Sequence, residues 1–216
     1  MLRPLSRSQS ETLVRAALTF HEALPGGEVE KYLLGRGIDP ASEAVAGFRL
    51  GSVPDDYVGF ERFAGMLAIP TLVANGRVTG FKFRSVDEGE GQRYDQPDGQ
   101  TGRLYNLRAL PLAGDWIALT EGEIDTISLG VLGIHALGVP GVNGWKSHHP
   151  LLLEGFRRVV LVRDADEPGK QLVTTLMRTD LDVAVVRPPG GHKDVNAALV
   201  AGEGEAMRTL IEEAAK

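Results

Sequence analysis

From Asp115 onward the sequence alternates short apolar runs with helix-length segments, and this alternation constrains the fold more than any other feature. The runs are Trp116–Thr120 (WIALT), Ile134–Leu137 (IHAL), Arg158–Arg163 (RVVLVR) and Asp182–Arg187 (DVAVVR); residues 123–132, 147–153 and 168–181 lie between them. Strands with no polar face belong in a parallel sheet covered by helices on both sides, so βαβα order predicts an α/β domain with a Rossmann-like parallel sheet. With 216 residues, 43% of them hydrophobic and 24% charged, the chain is long enough for a real core and too apolar for disorder.

The first half has a different texture. A helix is expected over Ser8–Leu24, closed by Pro25-Gly26-Gly27, and a second over Glu28–Arg36, with Gly37 as its C′ residue. Two strand-like runs follow, Gly65–Ala74 and Arg77–Ser85. The Asn75-Gly76 between them predicts a hairpin with a type I′ turn. The Gly-, Asp- and Gln-rich stretch from Asp87 to Gly102 reads as a mobile or ligand-ordered loop. The halves join near Pro111–Gly114, giving a smaller mixed α+β subdomain at 1–112 and the α/β domain at 113–216.

Acidic residues stand directly or shortly after three of the apolar runs. Glu121 follows WIALT in TEGEID, Asp164 and Asp166 follow RVVLVR in RDADEPGK, and Asp194 follows DVAVVR in PPGGHKDVN. Ligands of open parallel sheets bind outside the carboxyl ends of the strands, so these four carboxylates are expected to share one crevice. Crowded carboxylates raise one another's pKa unless a cation intervenes, and Mg2+ takes oxygen ligands while bridging to phosphates. The chemistry expected is metal-assisted phosphoryl or nucleotidyl transfer. Each acid alone could be a helix cap or a dipole partner; three strand ends carrying acids together argue for a site.

The net charge of −6 does not exclude a polyanionic partner. Residues 1–114 hold 13 basic and 14 acidic side chains, residues 115–216 hold 10 and 15, so the surplus sits where cations would neutralise it. The sequence has no cysteine, which leaves no disulfide framework and no thiolate zinc site in this chain. No signal-like or membrane-length apolar run occurs, so a cytoplasmic protein is expected, with no membrane partner.

TEGEIDTISL, RDADEPGK and GGHKDVNAAL resemble, in this order, the three acidic motifs of the Toprim domain, in the form found in phage primases and primase–helicases. Upstream, YLLGRGI, FRLGSVPD and GMLAIPTLVANGRVTGFKFRS resemble the N-terminal subdomain of the DnaG-type primase core. QRYDQPDG with GRLYNLRAL is similar to the basic segment leading into Toprim. The resemblance runs from about Glu28 to Val200. A D-x-D after a strand also opens haloacid-dehalogenase phosphatases, but there it begins the domain, whereas here it comes late and is followed by Glu167-Pro168.

The resemblance implies a DNA primase catalytic core that synthesises RNA primers on single-stranded DNA from ribonucleoside triphosphates during replication, in the host cytoplasm if phage-encoded. It implies that Glu121 and Asp125 are catalytic and that Glu121, Asp164, Asp166 and Asp194 hold two divalent ions, Mg2+ or Mn2+. Lys82, Arg84, Arg93 and Lys193 would contact nucleotide or template. Lys82 and Arg84 share one face of a strand by period-two alternation; spacing alone also allows a solvated edge strand with gatekeeper charges. Asn196 stands where many such primases have a further aspartate. The family's cysteine-based zinc module is absent from this sequence, so a separate zinc-binding polypeptide is expected as a partner, together with a replicative helicase. A Toprim nuclease, or a non-catalytic scaffold binding single-stranded DNA, are the alternatives. Trp145, His148 and His149 read as a surface loop, and Gly138, Gly141 and Gly144 as points of close backbone approach.

Overall fold

The computed structural model describes residues 5–87, 93–99, 103–140 and 144–216. The chain divides into two compact units, residues 1–35 with 39–101, and residues 36–38 with 102–216. Among the described residues no helix is long and apolar enough to cross a membrane.

The first unit begins with α1 (Arg7–Glu22). Ser6 caps it by accepting from the Gln9 amide at 3.1 Å, while the Gln9 side chain accepts from the Ser6 amide at 2.9 Å. Then come α2 (Glu28–Gly35), the one-turn α3 (Glu43–Ala46), β1 (Gly51–Ser52), β2 (Leu67–Leu72), β3 (Val78–Arg84) and β4 (Tyr94–Asp95). The strands form an antiparallel sheet in the order β1-β2-β3-β4. Its buried face is aromatic: Phe63 stacks on Phe83 with centroids 4.0 Å apart, and Phe20 of α1 lies edge-on to Tyr57 and Phe60.

α1 and β1 approach until a Cβ on Gly51 would lie 2.5 Å from the Phe20 carbonyl carbon. Only a glycine fits there, because the obstacle is main chain and cannot rotate away. Gly51→Ala should therefore lower stability by about 2–3 kcal/mol, within the range for overpacking a core. A urea denaturation midpoint equal to wild type would contradict this.

The predicted hairpin forms with a different turn. Asn75 keeps negative φ, since Arg49 and Asn106 are the only non-glycine residues with positive φ among the described residues. The Gly76 amide donates to the Val73 carbonyl at 2.8 Å and Gly76 itself takes φ +77°. The loop thus has three residues ending in a left-handed glycine, and type I′ is excluded. The Asn75 side chain accepts from the Arg77 amide, a local bond that keeps Asn75 out of the left-handed region.

The second unit contains β5 (Trp116–Thr120), α4 (Glu123–Val131), β6 (Ala136–Gly138), β7 (Arg158–Val162), α5 (Glu167–Leu176), β8 (Val183–Val186), α6 (Val195–Val200) and α7 (Gly204–Ala214). The strands are parallel, in the order β6-β5-β7-β8. Alternation along β7 explains its unbroken apolar run. Val159 and Leu161 enter the core beneath Leu172 and Leu176 of α5, while Val160 and Val162 enter the opposite core with Leu129, Val195, Met207 and Ile211. The result is an α/β/α sandwich, as the sequence pattern requires. The chain passes from β5 to β6 on one side and then crosses back over β5 to β7 on the other, so the strand order reverses between β5 and β7.

One predicted helix, 147–153, is only a 3-10 turn at Pro150–Leu152. His149 is not a surface residue: it is 4% exposed, and its Nδ1 accepts from the Lys146 amide at 3.1 Å. Burial, with His148 and Lys146 alongside, lowers its pKa to about 4, so the ring stays neutral. Of the loop glycines, a Cβ on Gly138 would lie 2.5 Å from Thr126 Oγ1, one on Gly144 would lie 2.7 Å from Pro140, and Gly141 is outside the described residues. The expected loop at 87–102 falls partly outside them too.

Candidate active site

The point where strand order reverses, outside the carboxyl ends of β5 and β7, is where ligands of such sheets bind, and the chain turns there on buried hydroxyls. Gly122 begins α4 in extended backbone, and its carbonyl accepts from the Thr126 amide (3.1 Å), Thr126 Oγ1 (2.7 Å) and Thr120 Oγ1 (3.3 Å). Both threonines are fully buried, so the turn carrying Glu121 is fixed from beneath. Glu121 reaches from β5 to the end of β7, where its Oε1 accepts from the Asp164 amide at 2.8 Å. A Cβ on Gly169 of α5 would come within 2.6 Å of both that oxygen and the Asp164 carbonyl.

The other acids are held by main-chain amides as well. Asp166 is the N-cap of α5 and accepts from the Gly169 amide (3.0 Å). Asp194 is the N-cap of α6 and accepts from the Ala197 amide (2.7 Å). Asp125, in the first turn of α4, accepts from the Asn196 amide (3.0 Å). The cap ahead of Pro168 is thus Asp166, and the Asp164 side chain makes no hydrogen bond among the described residues. Lys193 is largely exposed, with Nζ 3.5 Å from Asp194 Oδ2, and its carbonyl accepts from the Ala165 amide at 2.9 Å.

The five acids named from sequence therefore meet in one electrostatic cluster. Burial first, then Asp125, Glu121, Asp194 and Asp166, push the Asp164 carboxyl up to about 8. Burial raises Asp125 to about 6 against the opposing Asn196 amide, with Asp194 and Glu121 adding to the rise, and burial also raises Glu121. Oxygen donors in such mutual repulsion fit a hard divalent cation. Among the described residues no three acidic or imidazole groups close on a single point as a finished cage.

A pH dependence follows. Without metal, folded Asp164 and Asp125 keep protons that the unfolded chain releases near pH 4, so stability falls as pH rises from about 4 to about 8 and levels off above that. Thermal melts in chelator should show this decline, and Mg2+ should flatten or reverse it at pH 8. A melting temperature in chelator that climbs over this interval would contradict the coupling.

The predicted basic residues Lys82, Arg84 and Arg93 lie in the first unit. β3 runs between β2 and β4, so it is no edge strand. Lys82 and Arg84 share the face opposite Phe81 and Phe83. Lys82 Nζ sits 4.4 Å from the Tyr94 ring centre, and the Arg84 guanidinium lies 4.7 Å from that ring and 5.6 Å from Tyr32, with a hydrogen bond to the Tyr94 hydroxyl. Arg84 is only 8% exposed, which a solvated gatekeeper would not be. Arg93 is exposed, and its carbonyl accepts from the Ser85 amide at 2.9 Å.

Sequence reasoning missed Asn196 as a structural residue, the hydroxyl pair under Gly122, and Gly169. The T-E-G-E-I-D-T string held a clue to the pair, since Thr126 sits one turn into the helix that Gly122 begins, where a hydroxyl can reach the carbonyl four residues back.

A Toprim-like family profile matches residues 118–199. The chain is 36% identical to the Gene 57 protein of Mycobacterium phage D29, across 66% of this chain and 95% of that protein. It is 27% identical to the DNA primase of Deinococcus radiodurans, across 96% of this chain and 43% of that protein. The chain thus spans less than half the length of the curated primases it matches. Among solved structures, the RNA polymerase domain of Mycobacterium tuberculosis primase DnaG superposes with a TM-score of 0.78 at 21% identity, covering 96% of this chain and 84% of that one. That domain has also been solved with a double-stranded DNA oligomer bearing a 6-nucleotide overhang.

Proposed function

Since this chain belongs to the Toprim-bearing family of DnaG-type primases, we propose that it synthesises RNA primers on single-stranded DNA by nucleotidyl transfer. The observation that carries this reading is the cluster of five coupled carboxylates at the strand-order reversal. Glu121, Asp164, Asp166 and Asp194 are the residues that would hold divalent ions, Mg2+ or Mn2+. Bound there, such ions supply the positive charge that a triphosphate and an attacking 3′-hydroxyl need at neutral pH.

The chain's own residues do the rest. Glu121, fixed by the Asp164 amide and the hydroxyls beneath Gly122, presents a carboxylate of raised pKa able to accept a proton from a hydroxyl placed beside it. Asp125, largely buried behind it, adds negative charge that keeps the pocket selective for cations. Lys193 at the rim offers a mobile ammonium to triphosphate oxygens. In the first unit, Lys82 and Arg93 supply phosphate contacts, which position a template without reading its sequence, and the nearly buried Arg84 adds positive charge behind them. Tyr94 holds Lys82 and Arg84 in place, so that charge is fixed at little entropic cost. A cysteine-ligated zinc module to read template sequence would have to come from chain outside this sequence, and a replicative helicase would deliver the single strand.

The test is synthesis of short RNA on mixed-sequence single-stranded DNA with labelled ribonucleoside triphosphates and Mg2+ or Mn2+, with and without a cysteine-rich partner. Templated, metal-dependent products support the proposal. Metal-dependent loss of the DNA without triphosphates would replace it with a nuclease, and DNA binding alone would replace it with a scaffold.

A further inference from the structure

Asn196 is 2% exposed, and its side-chain amide and main-chain N–H are all hydrogen-bonded. Its side-chain amide nitrogen donates to the Arg36 carbonyl at 2.8 Å and to Ser128 Oγ at 3.0 Å. Its side-chain oxygen accepts from the Arg36 guanidinium at 3.1 Å, and its main-chain amide donates to Asp125 at 3.0 Å. Ser128 in turn donates to the Ile124 carbonyl, one α4 turn back. Segment 36–38 packs within the second unit: Ile38 is fully buried, and Gly37, at φ +69°, lies close enough that its Cβ would meet Leu199 at 3.3 Å.

This arrangement needs an amide. An aspartate could still face the Arg36 guanidinium, but its second oxygen would oppose the Arg36 carbonyl at 2.8 Å, where now a donor stands. The Asn196 oxygen faces the Arg36 guanidinium, whose positive charge opposes a cation there. Asn196 fixes the start of α6, which carries both the amide holding Asp125 and the Asp194 cap.

We infer that Arg36 and Asn196 are positioning residues: Arg36, through Asn196, sets the placement of Asp125 and Asp194 and thereby the affinity of the acidic cluster for divalent ions. The inference rests on the reading of that cluster as a metal site. Partners one bond removed from metal ligands commonly tune affinity by 10–100-fold.

The experiment is a Mn2+ titration of the metal-free chain followed by electron paramagnetic resonance, beside thermal melts confirming that each variant is folded. Asn196→Ala should weaken Mn2+ binding about tenfold, the low end of the span such partners show, and Arg36→Ala, one bond further out, should weaken it less, about threefold. In the Asn196→Ala background, Arg36→Ala should cost less than it does in wild type, because the route through Asn196 is gone. Asn196→Asp should also weaken binding despite its extra carboxylate. If Asn196→Ala fails to fold, Arg36→Ala and Asn196→Asp still decide the matter. Lowered melting temperatures with unchanged Mn2+ affinity would overturn the inference, as would an Arg36→Ala variant that loses only DNA binding. Wild type that binds no Mn2+ would instead bring down the metal reading itself, and the inference with it.

Discussion

Glu121→Gln should yield a folded protein that makes no primer. The glutamine oxygen can still accept from the Asp164 amide, now 2.8 Å from Glu121 Oε1, so the bond between the β5 and β7 ends survives. What disappears is a negative charge and a proton acceptor. Losses of this kind cost about 10²–10⁴-fold where a side chain acts on the reacting atoms. Burial disfavours the charged form of Glu121, so the neutral variant should melt no lower than wild type in chelator at pH 8. Single-turnover formation of the first phosphodiester bond, beside a thermal melt, checks both halves. Wild-type rates from a folded Glu121→Gln protein would remove Glu121 from the chemistry.

Gly169→Ala should be nearly as damaging through a single methyl group. The added carbon would stand 2.6 Å from the Asp164 carbonyl and from Glu121 Oε1. The carbonyl belongs to main chain between β7 and α5 and cannot swing aside, so the start of α5 must withdraw, taking the Asp166 cap with it. Alanine is worth about 1 kcal/mol more than glycine within a helix, but relieving an overlap of this depth costs about 1–3 kcal/mol. Misplacing a reacting group by about 1 Å can cost about 100-fold in rate. Primer synthesis should therefore fall by about two orders of magnitude with modest loss of stability. Gly155→Ala, where a Cβ would meet nothing within 4 Å, is the matched control. Equal activity of the two variants would show that the crowding at Gly169 is absorbed elsewhere.

What the sequence disclosed and what it hid follow from the range of each interaction. Strands β5 and β7 were legible because covered parallel strands leave continuous apolar runs, and Glu121 and Asp164 were legible because they abut those runs, with Asp194 a short loop beyond the edge strand β8. Lys82 and Arg84 share a face because alternation is a local property of a strand. The turn at Asn75 was misjudged because one side-chain bond to the Arg77 amide decides its φ, and a dipeptide preference does not include it. The turn at Pro150 and the burial of His149 depend on packing under Trp145, which periodicity does not report. α7 went unassigned although its buried Met207 and Ile211 stand four residues apart, because no strand follows it to complete the alternation. The tie between Arg36 and Asn196 leaves no local trace, since its partners are 160 residues apart.

That separation has a consequence during synthesis of the chain. Residues 36–38 leave the ribosome well before α6, and their place in the second unit does not exist until α6 has followed some 160 residues later. Closing so long a span adds only about 0.6 kcal/mol per doubling of length, so the delay is one of order rather than of energy. The pocket is therefore completed only once α6 has emerged. A nascent chain stalled before Asn196 carries Glu121, Asp164 and Asp166 but nothing to seat Asp125, and remains inert on any strand it meets.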